Sequence, residues 1–139
     1  MEEGVCLHVN DLVVRLNPGQ EIAPARVEAL VLRWRHEEAK VVLAQQLKQC
    51  LQHYRFSGFA APHLRVQLLI KRWGSLSPQG TMTLHSGLVQ APIACIDYVI
   101  YHELCHLVHA NHSSEFFELL SEVCPQWMAR KQLLEATVR

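Results

Sequence analysis

The chain has 139 residues, 50% of them hydrophobic and 19% charged, with 13 Lys+Arg balanced by 13 Asp+Glu. A chain of this length buries roughly two thirds of the surface its unfolded form exposes, which excludes intrinsic disorder and any need for disulfides or a structural metal. Zero formal charge and a pI near 7.1 provide no general attraction for phosphate backbones or anionic lipid, so the composition points away from nucleic acid as a partner.

Val5 to Val9 and Leu12 to Leu16 are short β-branched runs separated by Asn10-Asp11, residues that tolerate the positive φ of a tight turn, and they predict a small N-terminal hairpin within residues 1–23. The acidic start lacks a basic segment followed by an apolar run, so no secretory signal is expected. Five widely spaced cysteines without a CxxC pair read as reduced thiols, and the two features together place the chain in the cytoplasm. Pro24 suits the first turn of a helix. Apolar residues at Val27, Leu30, Val31, Trp34, Val41, Val42, Leu47, Cys50, Leu51 and Tyr54 then predict a long helix from Ala25 to about Tyr54, with Arg33 to Lys40 on its solvated face.

Leu64 to Trp73 reads as a strand and Thr81 to His85 as its returning partner, joined through Ser77-Pro78-Gln79-Gly80, a type I turn signature. The uncharged stretch from Trp73 to Ile96 is broken by three glycines and two prolines, which disqualifies it as a membrane span. Asp97 is the expected N-cap of a helix over Tyr98 to His109, with Asn111 as its stop. Ser113 or Ser114 caps a further helix that Pro125 interrupts, and Gln126 to Thr137 forms the last. These elements predict one α+β domain over 1–139: a long N-terminal helix, a small mainly antiparallel sheet, an active-site helix and C-terminal helices.

The chemistry lies in His102-Glu103-Leu104-Cys105-His106, an HExxH motif. Positions i and i+4 share a helix face, so His102 and His106 can aim two imidazole nitrogens at one Zn2+ ion, while the Glu103 carboxylate reaches a water and takes its proton. Nine histidines in this chain give about 0.05 expected chance matches to the motif, before a helix is required. Catalytic zinc takes three protein ligands and leaves a fourth position open. His112, beyond the helix stop, completes a tetrahedron more easily than His109, which lies two turns from His102. Glu115, Glu118 and Glu122 are acidic alternatives that read more simply as a wet helix face. Tyr98 and Tyr101 can donate to a tetrahedral intermediate but default to the core, and Cys105 reads as a small core residue.

Lys71-Arg72-Trp73-Gly74-Ser75, Gly80-Thr81-Met82-Thr83-Leu84, Ala91-Pro92, the run Ile96 to Leu107 and Asn111-His112-Ser113 together resemble the YgjP-like family of predicted zinc metallopeptidases, in an ordered match from about Trp34 to Leu134. The resemblance implies a zincin-like fold, His102, His106 and His112 as the zinc ligands, Glu103 as the general base, and a peptide or protein substrate. It also implies that the strand ending at Arg72, Trp73 and Ser75 borders the metal cleft. There an edge strand can pair with an extended peptide while Arg72 grips a carboxylate or phosphate. The plainer reading makes Trp73 core and Arg72 a surface ion-pair partner. His85 at the end of the partner strand is a candidate oxyanion stabiliser or simply a polar strand end. Three departures stand out: Leu76 replaces a cysteine of the family pattern, His85 an asparagine, and His109-Ala110 an acidic residue and proline before Asn-His-Ser. The N-terminal part is shorter than the family's β-rich region.

Three other readings follow from the same residues. Members of this family have been assigned nucleotide pyrophosphatase activity, so a UTP-type nucleotide held by Arg72 or Lys71 is the alternative substrate. A metal-stabilised module that binds peptides without cutting them is the non-enzymatic alternative. A protease acting on DNA-crosslinked proteins shares the histidine spacing, but neutral charge opposes it.

Overall fold

The computed structural model describes residues 4–8, 11–15, 23–68 and 71–137. Two compact units divide the chain, Met1–Glu38 and Ala39–Arg139. In the first, strands β1 (Gly4–His8) and β2 (Asp11–Arg15) pair antiparallel in a register running from Gly4 opposite Arg15 to His8 opposite Asp11. Both begin one residue before the predicted runs; of the predicted Asn10-Asp11 turn, Asp11 opens β2 and Asn10 lies outside the described residues. Helix α1 (Pro24–His53) starts at the proline, as its missing N–H allows, and continues into the second unit. Exposed Arg33, Arg35, Glu37, Glu38 and Lys40 form its predicted solvated face.

Within the second unit, Ala39, Leu43, Leu47 and Cys50 recur every three or four residues along α1 and are buried, the stripe that a core-facing helix requires. The centre of this unit is helix α2 (Ile93–Cys105), which buries residues on almost every side. A helix apolar all round belongs inside a fold, and α2 packs on α3 (Ser114–Val123), α4 (Trp127–Thr137) and strand β4 (Gly74–Leu76). Its polar residues therefore stand out. Asp97, expected as the N-cap, lies inside α2, because the helix begins four residues earlier behind Pro92. The Asp97 carboxylate instead accepts hydrogen bonds from Gln46 Nε2 at 2.8 Å and Cys50 Sγ at 3.5 Å, tying α2 to α1.

The sheet departs from expectation in one respect that matters for the site. The run Leu64 to Trp73 is not one strand: β3 (His63–Gln67) ends early, and β4 is a separate strand. Strand β5 (Thr81–His85) is central, taking β3 in parallel on one side and β4 antiparallel on the other, so the sheet is mixed. A parallel neighbour cannot be reached by a tight turn, and the chain uses residues 68–80 to cross to the far side of β5 and return. The predicted turn itself is present between β4 and β5. The Ser77 carbonyl accepts from Gly80 N–H at 3.0 Å, and Gly80 adopts φ +90°, the left-handed conformation that this three-residue hairpin loop assigns to glycine. After β5 a short 3-10 turn (Ser86–Gln90) leads into α2.

Among the described residues, Cys50, Cys95, Cys105 and Cys124 are free and buried. Among the described residues, no helix is long and apolar enough to cross a membrane.

Candidate metal centre

His102 and His106 stand one turn apart on α2, but the helix ends at Cys105, so His106 is its C-cap. The expected continuation to His109 does not form. The chain tightens instead, with Leu107 N–H on the Leu104 carbonyl and Val108 N–H on that of Cys105, and turns through residues 106–113 into α3. Ser113 caps α3, its hydroxyl accepting the Phe116 N–H at 3.3 Å. This return brings His112 back beneath the end of α2. Among the described residues, His102, His106 and His112 form the one group of three metal-ligating side chains, with ring nitrogens all within 4.8 Å of one another.

The second nitrogen of two of these rings is already engaged. His106 Nδ1–H donates to the His109 carbonyl at 3.0 Å, and His102 Nδ1–H to Glu103 Oε2 at 3.1 Å. Each bond selects the tautomer whose Nε2 keeps its lone pair, the form that ligates a metal. His106 Nε2 lies 3.0 Å from His112 Nε2. Two lone-pair nitrogens this close repel unless a proton or cation lies between them. Burial, followed by the neighbouring His102 and His106, lowers the pKa of His112 and favours its neutral ring. A set of three imidazoles suits a divalent ion of zinc's type.

Phe116 supports the cluster, and sequence reasoning missed it. Fully buried, its ring centroid lies 5.2, 4.6 and 4.9 Å from those of His102, His106 and His112, so one aromatic ring packs against all three imidazoles. The only available signal was its position three residues after the Ser113 cap. His109 contributes a carbonyl rather than a ring nitrogen, and Glu115, Glu118 and Glu122 are exposed on α3. Tyr101 is buried towards α1, its ring 6.2 Å from that of His53, whereas Tyr98 lines the cleft. Burial pushes the Cys105 thiol up to about 12, which makes it an inert core group.

Glu103 is only 6% exposed and lies against β4. The approach is possible because residue 74 is glycine. A Cβ there would meet Leu84 Cδ2 at 3.0 Å, Glu103 Cγ at 3.2 Å and Val99 Cγ1 at 3.3 Å. Glycine inside a strand signals such a close approach, a signal present in the Arg-Trp-Gly-Ser run but not used. β4 is an edge strand, and its hydrogen bonding can be followed residue by residue. His85 N–H donates to the Trp73 carbonyl and Ser77 N–H to the Thr81 carbonyl, so alternate residues 73, 75 and 77 face β5. Gly74 and Leu76 must then turn their N–H and C=O groups to the open edge.

Two hollows meet at this point. A trough of about 660 Å³ runs past Ser75, Ser77, His106 and His112, and a smaller cavity of about 230 Å³ lies towards α4. Arg72, Gly74, His102 and Glu103 line both. Of the four predicted substrate contacts, Arg72 and Ser75 line the trough and Trp73 the cavity, but His85 lines neither. Its Nδ1 accepts the Gly87 N–H at 2.8 Å as the cap of the 3-10 turn, and its ring packs 5.3 Å from that of Trp73. Burial lowers the His85 pKa, in keeping with that acceptor role.

The family model described as YgjP-like, metallopeptidase domain, matches residues 9–137. No curated protein matches the chain. Among solved structures, the metallopeptidase zymogen abylysin of Pyrococcus abyssi is similar with 20% identity and a TM-score of 0.59, over 70% of this chain and 96% of that one. The metallopeptidase zymogen jannalysin of Methanocaldococcus jannaschii is similar with 17% identity and a TM-score of 0.53, over 65% of this chain and 93% of that one. At these identities the likeness establishes the fold.

Proposed function

The chain belongs to the YgjP-like metallopeptidase domain family and is therefore a hydrolase, and on that premise we propose a zinc-dependent peptidase in which His102, His106 and His112 hold the ion and Glu103 is the general base. The family match from residue 9 to 137 supports reading 1–139 as one domain of this kind. The observation that carries the proposal is the convergence of three imidazoles, their ring nitrogens within 4.8 Å, beside a carboxylate 6% exposed. Bound zinc supplies Lewis acidity, polarising a carbonyl and bringing the pKa of water to about 7.

The chain's own groups do the rest. Glu103 Oε2 is engaged by His102 Nδ1–H, which leaves Oε1 to take the proton of the attacking water and return it to the departing amine. The outward N–H and C=O groups of Gly74 and Leu76 receive an extended peptide as a further strand, and register along β4 brings its scissile bond to Glu103. Arg72, Trp73 and Ser75 flank that strand. A peptide suits this edge better than a nucleotide, which has no backbone to pair with it.

Purified chain should carry about one zinc per molecule by elemental analysis and cleave a peptide mixture while leaving UTP intact. Glu103→Gln should lower kcat/KM by about 10²–10⁴-fold with zinc retained. Absence of metal, hydrolysis of UTP but not peptides, or unchanged turnover in Glu103→Gln would each overturn the reading.

A further inference from the structure

We infer that Phe117 and Trp127 form an outer clamp on His112 that sets how tightly the chain holds its metal, which makes them positioning residues for the ligand that stands outside α2. The inference rests on the zinc reading above and deepens it by naming what keeps the third imidazole in place.

The three imidazoles are not held alike. His102 lies on α2 and His106 caps it, and the Nδ1–H of each ring is engaged, by Glu103 and by the His109 carbonyl. His112 is exposed, in the return between α2 and α3. Besides the other two histidines, the rings beside it are Phe116, with centroids 4.9 Å apart, and Phe117, 6.0 Å away and tilted by 46°. Phe116 packs against all three histidines, whereas Phe117 meets only His112 of the three. A change at Phe117 therefore acts on one ligand.

Phe117 needs support of its own. At 36% exposed it stands on the outer side of α3, where a side chain restrains its neighbour only if something restrains it. Trp127, half-buried at the start of α4, does so: the two rings stack with centroids 5.4 Å apart and planes 27° from parallel. The indole is fixed in turn. Its Nε1–H donates to Ser121 Oγ at 3.0 Å, and Ser121 lies one turn beyond Phe117 on the same face of α3. Phe117 also meets Phe116 edge-on, 5.2 Å away with planes at 90°. Stacked and edge-on pairs are the arrangements that aromatic rings favour, so the two contacts together hold the Phe117 ring in one orientation. A line of contacts thus runs from Ser121 through Trp127 and Phe117 to His112. A ligand oriented before the ion arrives loses less freedom on binding it, and affinity rises accordingly.

The test uses the full chain, stripped of metal and titrated with zinc against a chromophoric chelator. Phe117→Ala and Trp127→Ala should each weaken zinc binding about 10–100-fold. Phe117→Trp, which keeps a ring beside His112, should recover most of that loss. A double-mutant cycle separates an effect at His112 from general loosening of the fold: in a His112→Ala background, where His102 and His106 remain as a weaker two-ligand site, Phe117→Ala should change zinc affinity no further. Melting of the metal-free variants follows folding alongside. Zinc affinity unaltered in Phe117→Ala, or lowered equally with and without His112, overturns the clamp while leaving the zinc reading intact. An unmodified chain that binds no zinc overturns both.

Discussion

On one side of the cleft, α2 is buried on nearly every face and carries its reactive groups as side chains held by Phe116, the His109 carbonyl and one another. On the other side, the three-residue strand β4 has an open edge and offers backbone groups that are aligned by pairing with β5. The contrast teaches a division of labour. Groups that must hold an ion or move a proton tolerate little displacement and belong on a helix packed all round. A surface that must accept many peptide sequences is better made of main chain, which every peptide matches.

Damage to the α2 side should be the most severe. His106→Ala, or removal of metal from the unmodified chain with a chelator, should abolish peptide hydrolysis. Readdition of zinc should restore the chelated protein but not the variant, as paired activity and zinc assays will show. Next comes the contact between the two sides. Gly74→Ala sets a methyl group against Leu84, Val99 and Glu103, so it should destabilise the fold by about 1–3 kcal/mol and lower kcat about 100-fold as the base is displaced. Denaturant titration and steady-state kinetics measure the two effects separately, and normal kinetics would show that the β4–α2 spacing is not critical.

A weaker effect is expected from the open edge alone. Leu76 does not use its N–H in pairing with β5, so Leu76→Pro should keep the fold but remove a donor for substrate. KM should rise about tenfold with kcat little changed. A fall in kcat instead would place Leu76 in positioning the base. The smallest effect concerns the thiols behind α2. Burial raises the Cys50 and Cys105 pKa values from 9.0 to about 12, so both are protonated at neutral pH and iodoacetamide should neither label them nor inhibit the native chain. Because the folded pKa lies above the unfolded one, the stabilisation they contribute is complete below about pH 9 and lost as the pH rises towards 12. A melting temperature that declines across this window, less steeply in Cys105→Ala, would confirm the sign.

Features carried by neighbours in sequence were legible from the residues alone. The helix over Pro24–His53, the turn at Ser77 to Gly80 and the Ser113 cap each depend on periodicity or on a residue's own φ preference. The boundaries of α2 were harder to read. Its first turn has no side-chain cap to mark it, and its end has no glycine, so both were expected several residues too late. The break between β3 and β4 was hidden for a related reason: a run of strand-forming residues looks the same whether it pairs with one neighbour or crosses to the other side of the sheet.

What the sequence determined by itself was the chemistry available: two histidines one helical turn apart, a carboxylate beside the first, and a third histidine six residues past the second. Helix geometry allows His102 and His106 no other arrangement relative to each other. The tertiary structure decided whether that chemistry becomes a site. It returned the chain through residues 106–113 so that His112 joins the pair, ran β4 past Glu103 at the one residue without a Cβ, and brought α4 alongside to close a pocket. Each of these depends on packing between segments far apart in the chain, whose pairing no local pattern of residues can specify.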